Sequence, residues 1–260
     1  MKTNAAIHVE SEGSGRPLVL VPGFACAPNV WFKVRKSLSA SYQLHLVTIA
    51  GFGGTAPVEA PVSEKARDAL TKYCRGLHRP ILLGHSYGAF LALWVAARSS
   101  VAIERVIAVD GLPYFPTVFD LGATPKSLRQ QAEQQRQEIA GEPWSPQPYF
   151  DEHIMDGDDA AYMTETTAHP DLAAAGDVRY ETLTIDIRDE MPGIKCPVLS
   201  IAAGQPWLKS PEDVPGIEQF YRERLGDIEH LEVVVAERAR HFVMIDDPDF
   251  FIETVTAFAG

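Results

Sequence analysis

Residues 81–90 read ILLGHSYGAF. Ile81, Leu82 and Leu83 form an apolar run of the kind buried on both faces of a parallel sheet. The run ends at Gly84, and Ser86 follows between Gly84 and Gly88. From Gly88 the chain continues GAFLALWVAARS (88–99), small and apolar, which reads as a helix. The chain therefore passes from strand to helix through a turn with one serine between two glycines. Such a turn strains the serine backbone, and glycine at its flanks lets strand and helix approach. It lifts the hydroxyl above the carboxyl ends of the strands and toward a helix N-terminus, whose partial positive charge favours an anion.

Outward from this turn the same rhythm repeats. Apolar runs at 17–21, 44–49, 80–84, 105–110, 197–202 and 231–235 are rich in Val, Ile and Leu without polar alternation. Between them, 30–39, 63–77 and 88–99 read as helices, with Ser63 as an N-cap for the second. The last helix, 248–259, opens with Asp247 as N-cap and Pro248 at the first position, where its missing N–H costs nothing. Strand and helix in alternation predict a doubly wound α/β sheet with right-handed crossovers. Residues 7–21 read instead as a hairpin with Gly13 and Gly15 in its turn. Residues 112–195 hold no convincing strand, and 125–141, 146–155, 160–176 and 178–191 read as helices. That is too much helix for a simple crossover, and it predicts a lid over one end of the sheet. The expected division is a core of 1–111 and 196–260 with a helical cap of 112–195.

Composition narrows the function. The 260 residues carry a net charge of −12 and no Lys/Arg cluster, which argues against nucleic-acid partners. No apolar stretch is long enough to span a membrane, and the N-terminus has no run of signal-peptide length, so a cytoplasmic protein is expected. Cys26, Cys74 and Cys196 are odd in number and widely spaced, which argues against a disulfide framework and a zinc site. Cys26 lies near the candidate site, so exposure to thiol reagents is expected there. Monomer and homodimer are both compatible with the sequence.

An activated serine needs a base and an orienting acid. Of the 8 histidines, His241 follows the last strand after a short loop and precedes the last helix, which places it over the end of the sheet. His85 is adjacent to Ser86 and cannot readily fold back to it, so it reads as a packed neighbour. His153 and His169 lie in the helical region and could touch a substrate. An oxyanion also needs two N–H donors. Tyr87, just after the serine, supplies one. The loop after the first long strand, VPGFACAP (21–28), supplies the other through Phe24.

These stretches carry a resemblance. LVPGFACAPNVW (20–31), GFGGTAP (51–57), GHSYGA (84–89) and ARHFVMIDDP (239–248) are similar to segments of the α/β-hydrolase superfamily. The match is to the serine-nucleophile branch with a helical cap between the family's sixth and seventh strands. The resemblance implies an α/β-hydrolase fold over nearly the whole chain, Ser86 as nucleophile and His241 as base. Many relatives read His-Gly where this chain has Pro22-Gly23, a change that leaves the backbone donor intact. TIAGFG (48–53) stands where many relatives carry D-x-R-G-x-G, and lacks the charged residues.

The acid departs from the usual pattern. The superfamily most often carries it after the seventh strand, where Gly204, Gln205 and Pro206 stand here. Glu212 and Asp213 come later and read as capping residues of the next helix. The other known position is the end of the sixth strand, as in haloalkane dehalogenases and pancreatic-type lipases, and there VIAVDGLP (106–113) places Asp110. The resemblance thus implies Asp110, with Glu212 or Asp213 as alternatives.

The implied activity is hydrolysis of a small carboxylic ester through an acyl-enzyme, with no metal or cofactor. A serine nucleophile excludes the dehalogenase and epoxide hydrolase reactions, which use an aspartate. The helical region offers Tyr114, Phe115, Phe119, Trp144, Tyr149, Phe150, Tyr162 and Met163 for an apolar pocket, and Tyr114, Phe115, Trp144, Phe150 and Tyr162 are the chief candidates. Alternatives on the same fold are thioester, lactone, C–C bond, hydroxynitrile and aminopeptidase-like chemistry. An aminopeptidase needs an acidic cluster in the cap, and the acids there are spread as on solvated faces. A ligand-binding module without catalysis is the reading from a different class.

Overall fold

The computed structural model describes residues 5–98, 102–205 and 207–260; Ser99 and Pro206 lie outside the described residues. Its strands are β1 (Ile7–Gly13), β2 (Arg16–Val21), β3 (Tyr42–Ile49), β4 (Ile81–His85), β5 (Arg105–Val109), β6 (Val198–Ala203) and β7 (Leu231–Ala236). They form a 7-stranded sheet in the order β1-β3-β2-β4-β5-β6-β7. Every neighbouring pair is parallel except β1 with β3. This is an α/β-hydrolase fold.

Period-two alternation builds two cores, one on each face of the sheet. Val19, Val21, Leu82, Val106 and Ala108 enter one cluster. Their chain neighbours Leu18, Leu20, Leu83, Ile107 and Val109 enter the other. Every residue of β4 and β6 is buried. Both faces are covered by helices, which is why these strands lack polar alternation.

The expected hairpin over 7–21 does not form. β1 pairs with β3, Ile7 opposite Ile49 and Gly13 opposite Gln43, so β3 lies between β1 and β2. The reason is burial. β3 is mostly buried and needs a partner on each edge, whereas β1 is largely exposed and suits the rim. The two glycines serve a different close approach. A Cβ on Gly13 would come within 2.5 Å of the Tyr42 carbonyl oxygen, and one on Gly15 within 2.8 Å of the Ser41 oxygen. They let the β1–β2 link pass against the start of β3.

The helices are α1 (Arg35–Ser39), α2 (Val62–Arg75), α3 (Tyr87–Arg98), α4 (Pro125–Gly141), α5 (Gln147–His153), α6 (Gly157–Thr166), α7 (Leu172–Thr184), α8 (Val214–Leu225), α9 (Val243–Asp246) and α10 (Pro248–Ala259). α10 starts as its sequence predicts, with Asp247 accepting from the Phe250 N–H at 3.4 Å. The segment 30–39 is only partly α-helical: a 3-10 turn over Pro28–Trp31 precedes the short α1.

From β5 to β6 the chain runs through α4, α5, α6, α7 and two 3-10 turns, Phe115–Val118 and Arg188–Gly193. The expected helix over 160–176 breaks at 167–171. Pro170 cannot continue a helix, and Asp171 starts a new one by accepting from the Ala174 N–H at 2.9 Å. α7 then runs through the expected boundary near 177 and stops at Thr184.

These inserted helices are tied to the sheet's own elements at several points. Asn29 Nδ2 donates to Thr166 Oγ1 and Thr167 Oγ1, both at 3.0 Å. The Met155 N–H donates to Asp246 Oδ1 at 2.9 Å. The third tie overturns the Ser63 cap. Glu181, on α7, is buried and accepts the N–H groups of Val62 and Ser63, each at 2.7 Å. A carboxylate from another helix thus satisfies the first turn of α2, where the dipole favours negative charge. Ser63 sits inside the helix and its hydroxyl meets the Tyr87 hydroxyl at 2.9 Å. Glu181→Ala leaves two buried donors without their acceptor. It is expected to cost about 2 kcal/mol or more, read as a lower urea midpoint at unchanged slope.

Candidate active site

The sheet positions the site through the carboxyl ends of β4, β5 and β7. Ser86 stands between β4 and α3 with φ +54°, in the left-handed region that non-glycine residues rarely adopt. Hydrogen bonds hold it there: its N–H donates to the Val109 carbonyl at 2.8 Å, and its carbonyl accepts from Ala89 at 2.9 Å and Phe90 at 3.1 Å. The flanking glycines are obligatory. A Cβ on Gly84 would lie 2.1 Å from the Gly88 carbonyl oxygen, and one on Gly88 2.1 Å from the Val21 oxygen.

Asp110 directly follows β5 with φ +45°, a second strained residue one strand away. Its Oδ2 lies 2.6 Å from His241 Nδ1. Its Oδ1 accepts from the Ala203 N–H at 3.0 Å and from the Tyr221 hydroxyl. Burial alone would push this carboxyl up; the hydrogen bond and charge of His241, with Tyr221 and Ala203, outweigh it and hold the pKa below the usual range. A carboxylate at Nδ1 fixes the ring as the Nδ1–H tautomer, which leaves the Nε2 lone pair free to take a proton.

His85 packs beside this pair. Its ring centroid is 4.6 Å from that of His241, and its Nε2–H donates to the His241 carbonyl at 3.0 Å. Burial first, and then the neighbouring His241 charge, hold its pKa well below the ordinary value. A neutral His85 therefore fixes the backbone of His241. Asp213 and Glu212 are exposed and line no part of the cavity; Asp213 Oδ2 accepts the N–H groups of Lys209 and Ser210 at 2.9 Å. The acid brought to His241 is Asp110.

Ser86, Asp110 and His241 share a cavity of about 650 Å³. Phe24 and Tyr87 line it as well, on the loop after β2 and at the start of α3. A Cβ on Gly23 would lie 3.3 Å from Ser86 Cβ and 2.9 Å from His85 Nδ1, so the loop reaches the serine only because that residue is glycine. Among the described residues, no group of three or more His, Cys, Asp or Glu is placed to hold a metal ion.

The alpha/beta hydrolase family model matches residues 18–254. The chain is an alpha/beta hydrolase. It is 24% identical over 276 residues to the pimeloyl-[acyl-carrier protein] methyl ester esterase of Nitrosospira multiformis, covering 98% of both chains. It is 27% identical over 249 residues to the N-formylmaleamate deformylase of Pseudomonas putida, covering 92% of this chain and 87% of that one. Among solved structures it is similar to a thermophilic esterase from Thermogutta terrifontis, with a TM-score of 0.73 and 18% identity over 99% of this chain and 96% of that one.

The pocket of this hydrolase differs from its sequence expectation. Of the chief candidates only Phe115 lines the cavity, joined by Phe119 and Tyr149 from the wider set. Tyr114 is fully buried, and its hydroxyl donates to the Leu183 carbonyl at 3.0 Å. Phe150 and Met163 belong to the core on one face of the sheet. Trp144 packs edge-on to Phe24 at 6.5 Å and does not line the cavity. Tyr162 lies on the surface, 39% exposed, against Phe32. His153 lines the cavity with its ring 5.6 Å from that of His241, whereas His169 is exposed and away from it.

Cys26 is also corrected. It is 1% exposed, and burial pushes its thiol up to about 12, so a thiol reagent meets neither surface nor thiolate. Sequence reasoning passed over Tyr221 and Arg179. Tyr221 carries no local motif. Arg179 had a signal in Asp177-x-Arg179-x-Glu181: acids two residues away on a helix do not face an arginine.

Proposed function

We propose that this alpha/beta hydrolase cleaves a carboxylic ester of a small molecule through an acyl-enzyme on Ser86. The observation that carries the reading is the Asp110–His241 pair at 2.6 Å, sharing one cavity with a serine held at φ +54°. His241 Nε2 takes the Ser86 proton as Oγ attacks the acyl carbon. The Phe24 and Tyr87 N–H groups receive the oxyanion at the N-terminus of α3. His241 then protonates the leaving alcohol, and a water activated by the same nitrogen releases the acid. Asp110 holds the ring and stabilises its charged form. The esterase name of the relative from Nitrosospira multiformis supports the bond type. Residues 112–195 act as a lid, since Phe115, Tyr149 and His153 enter the cavity from them.

The test is hydrolysis of p-nitrophenyl esters from acetate to decanoate. Steady turnover of at least one ester is expected, and inertness toward all of them contradicts the reading. A second reading rests on the deformylase relative: the same serine machinery would cleave an N-formyl amide. Turnover of N-formyl amides without ester turnover would favour it. Of the acids between 125 and 170, only Glu152 lines the cavity, which weighs against an aminopeptidase.

A further inference from the structure

The cavity that holds Ser86 and His241 is also lined by Arg179, from α7. Its Nε–H donates to Gln135 Oε1 at 2.6 Å, across the α4–α7 contact. Gln135 is neutral, so it fixes the guanidinium without cancelling its charge. The acids nearest in sequence are engaged elsewhere. Asp177 pairs with Arg136 at 2.8 Å, and Glu181 caps α2. Among the described residues, no carboxylate forms an ion pair with Arg179. Burial works against its charge. A half-buried cation held by a neutral amide and lining a cavity leaves room there for an anionic partner.

The other charges of the cavity do not fill that role. Asp110 is occupied by His241, Tyr221 and Ala203. Arg240 is spent on the carbonyls of Asp151, Glu152 and Ile154, at 3.3, 3.2 and 3.2 Å. Glu152 is exposed and lies on α5. Apolar surface connects Arg179 to the reacting end. The guanidinium stands 5.9 Å from the Phe115 ring centroid, and the Tyr149 ring lies 6.5 Å from that of His241. An acyl chain fits that lining, and an anionic group at its end would meet the guanidinium fork, which suits a carboxylate.

We propose that Arg179 binds a carboxylate carried by the substrate away from its scissile ester, so that the preferred substrates are half-esters of dicarboxylic acids. This rests on the esterase reading of the Ser86 site. The half-esters are compared with methyl alkanoates of equal length: monomethyl glutarate to monomethyl suberate against methyl pentanoate to methyl octanoate. Wild type is expected to favour a half-ester in kcat/KM. In Arg179→Gln the half-ester to alkanoate ratio should fall by at least about 30-fold, mainly through KM. Arg179→Lys should keep part of it. An unchanged ratio in Arg179→Gln, or no wild-type preference for any half-ester, overturns the proposal.

Calorimetric binding of the free dicarboxylates separates the two claims. If no ester is hydrolysed but glutarate to suberate bind wild type, and bind Arg179→Gln at least about 30-fold more weakly, the esterase reading fails and the anion site stands. If none of them binds wild type, or both proteins bind alike, the anion site fails whatever the hydrolysis result.

Discussion

Ser86→Ala is expected to lower kcat/KM for p-nitrophenyl esters by about 10⁴- to 10⁶-fold, with KM little changed. The size follows from what the hydroxyl does. Without it His241 and Asp110 have no nucleophile to activate, and only water attack over the oxyanion donors remains. Structural damage is not the cause, because alanine keeps the φ of +54° no worse than serine. The Ser86 N–H still reaches the Val109 carbonyl at 2.8 Å. A melting temperature close to wild type beside the lost activity is therefore part of the expected result. Wild-type rates in Ser86→Ala would place the reaction elsewhere in the molecule.

The second large effect distinguishes the acids. Asp110→Asn is expected to cost about 10⁴-fold in kcat, and Asp213→Asn less than about 3-fold, as for a surface change outside the site. The Ala203 N–H and the Tyr221 hydroxyl both point at Asp110 Oδ1. An asparagine keeps its oxygen for those donors and turns its NH₂ toward His241 Nδ1. The ring must then accept at Nδ1 and carry its proton on Nε2, where it cannot act as base. Asp213 is exposed and caps a turn through the Lys209 and Ser210 N–H groups, remote from this exchange. The depressed pKa of Asp110 has a consequence of definite sign. Its contribution to stability is present above the ordinary aspartate value and is lost as pH falls through the lower folded-state value. If Asp213→Asn is the inactive variant, the acid is misassigned.

How far the sequence reaches depends on the range of the interaction that decides each feature. The turn at 84–88 is largely decided within five residues, because the Gly88 carbonyl oxygen lies 2.1 Å from a Cβ position on Gly84; Gly88 in turn answers the Val21 oxygen of β2, at 2.1 Å. That signal is legible, and so are the strands whose burial on both faces removes polar alternation. His241 is legible because a loop between the last strand and the last helix has one place to go. Asp110 needs the strand order as well, since its carboxylate is built into the site by Ala203 on β6 and Tyr221 on α8.

The pocket is decided at longer range. Tyr114 and Phe115 are adjacent, yet one is sealed against Leu183 and the other faces the cavity. No composition or spacing separates them, because the facing depends on how the inserted helices seat on the sheet. The same holds for Ser63, displaced as a cap by a carboxylate 118 residues away in the chain. Likewise β1 pairs with the more buried β3 rather than with its neighbour in sequence.

The most direct test of the central claim, that Ser86 is a nucleophile activated by His241, is covalent labelling with a fluorophosphonate followed by peptide mapping. A single adduct is expected on the peptide carrying Ser86, forming within minutes in wild type and slowed by about 10³-fold or more in His241→Ala. An adduct on another residue, or a wild-type Ser86 that labels no faster than the His241→Ala variant, would contradict the account.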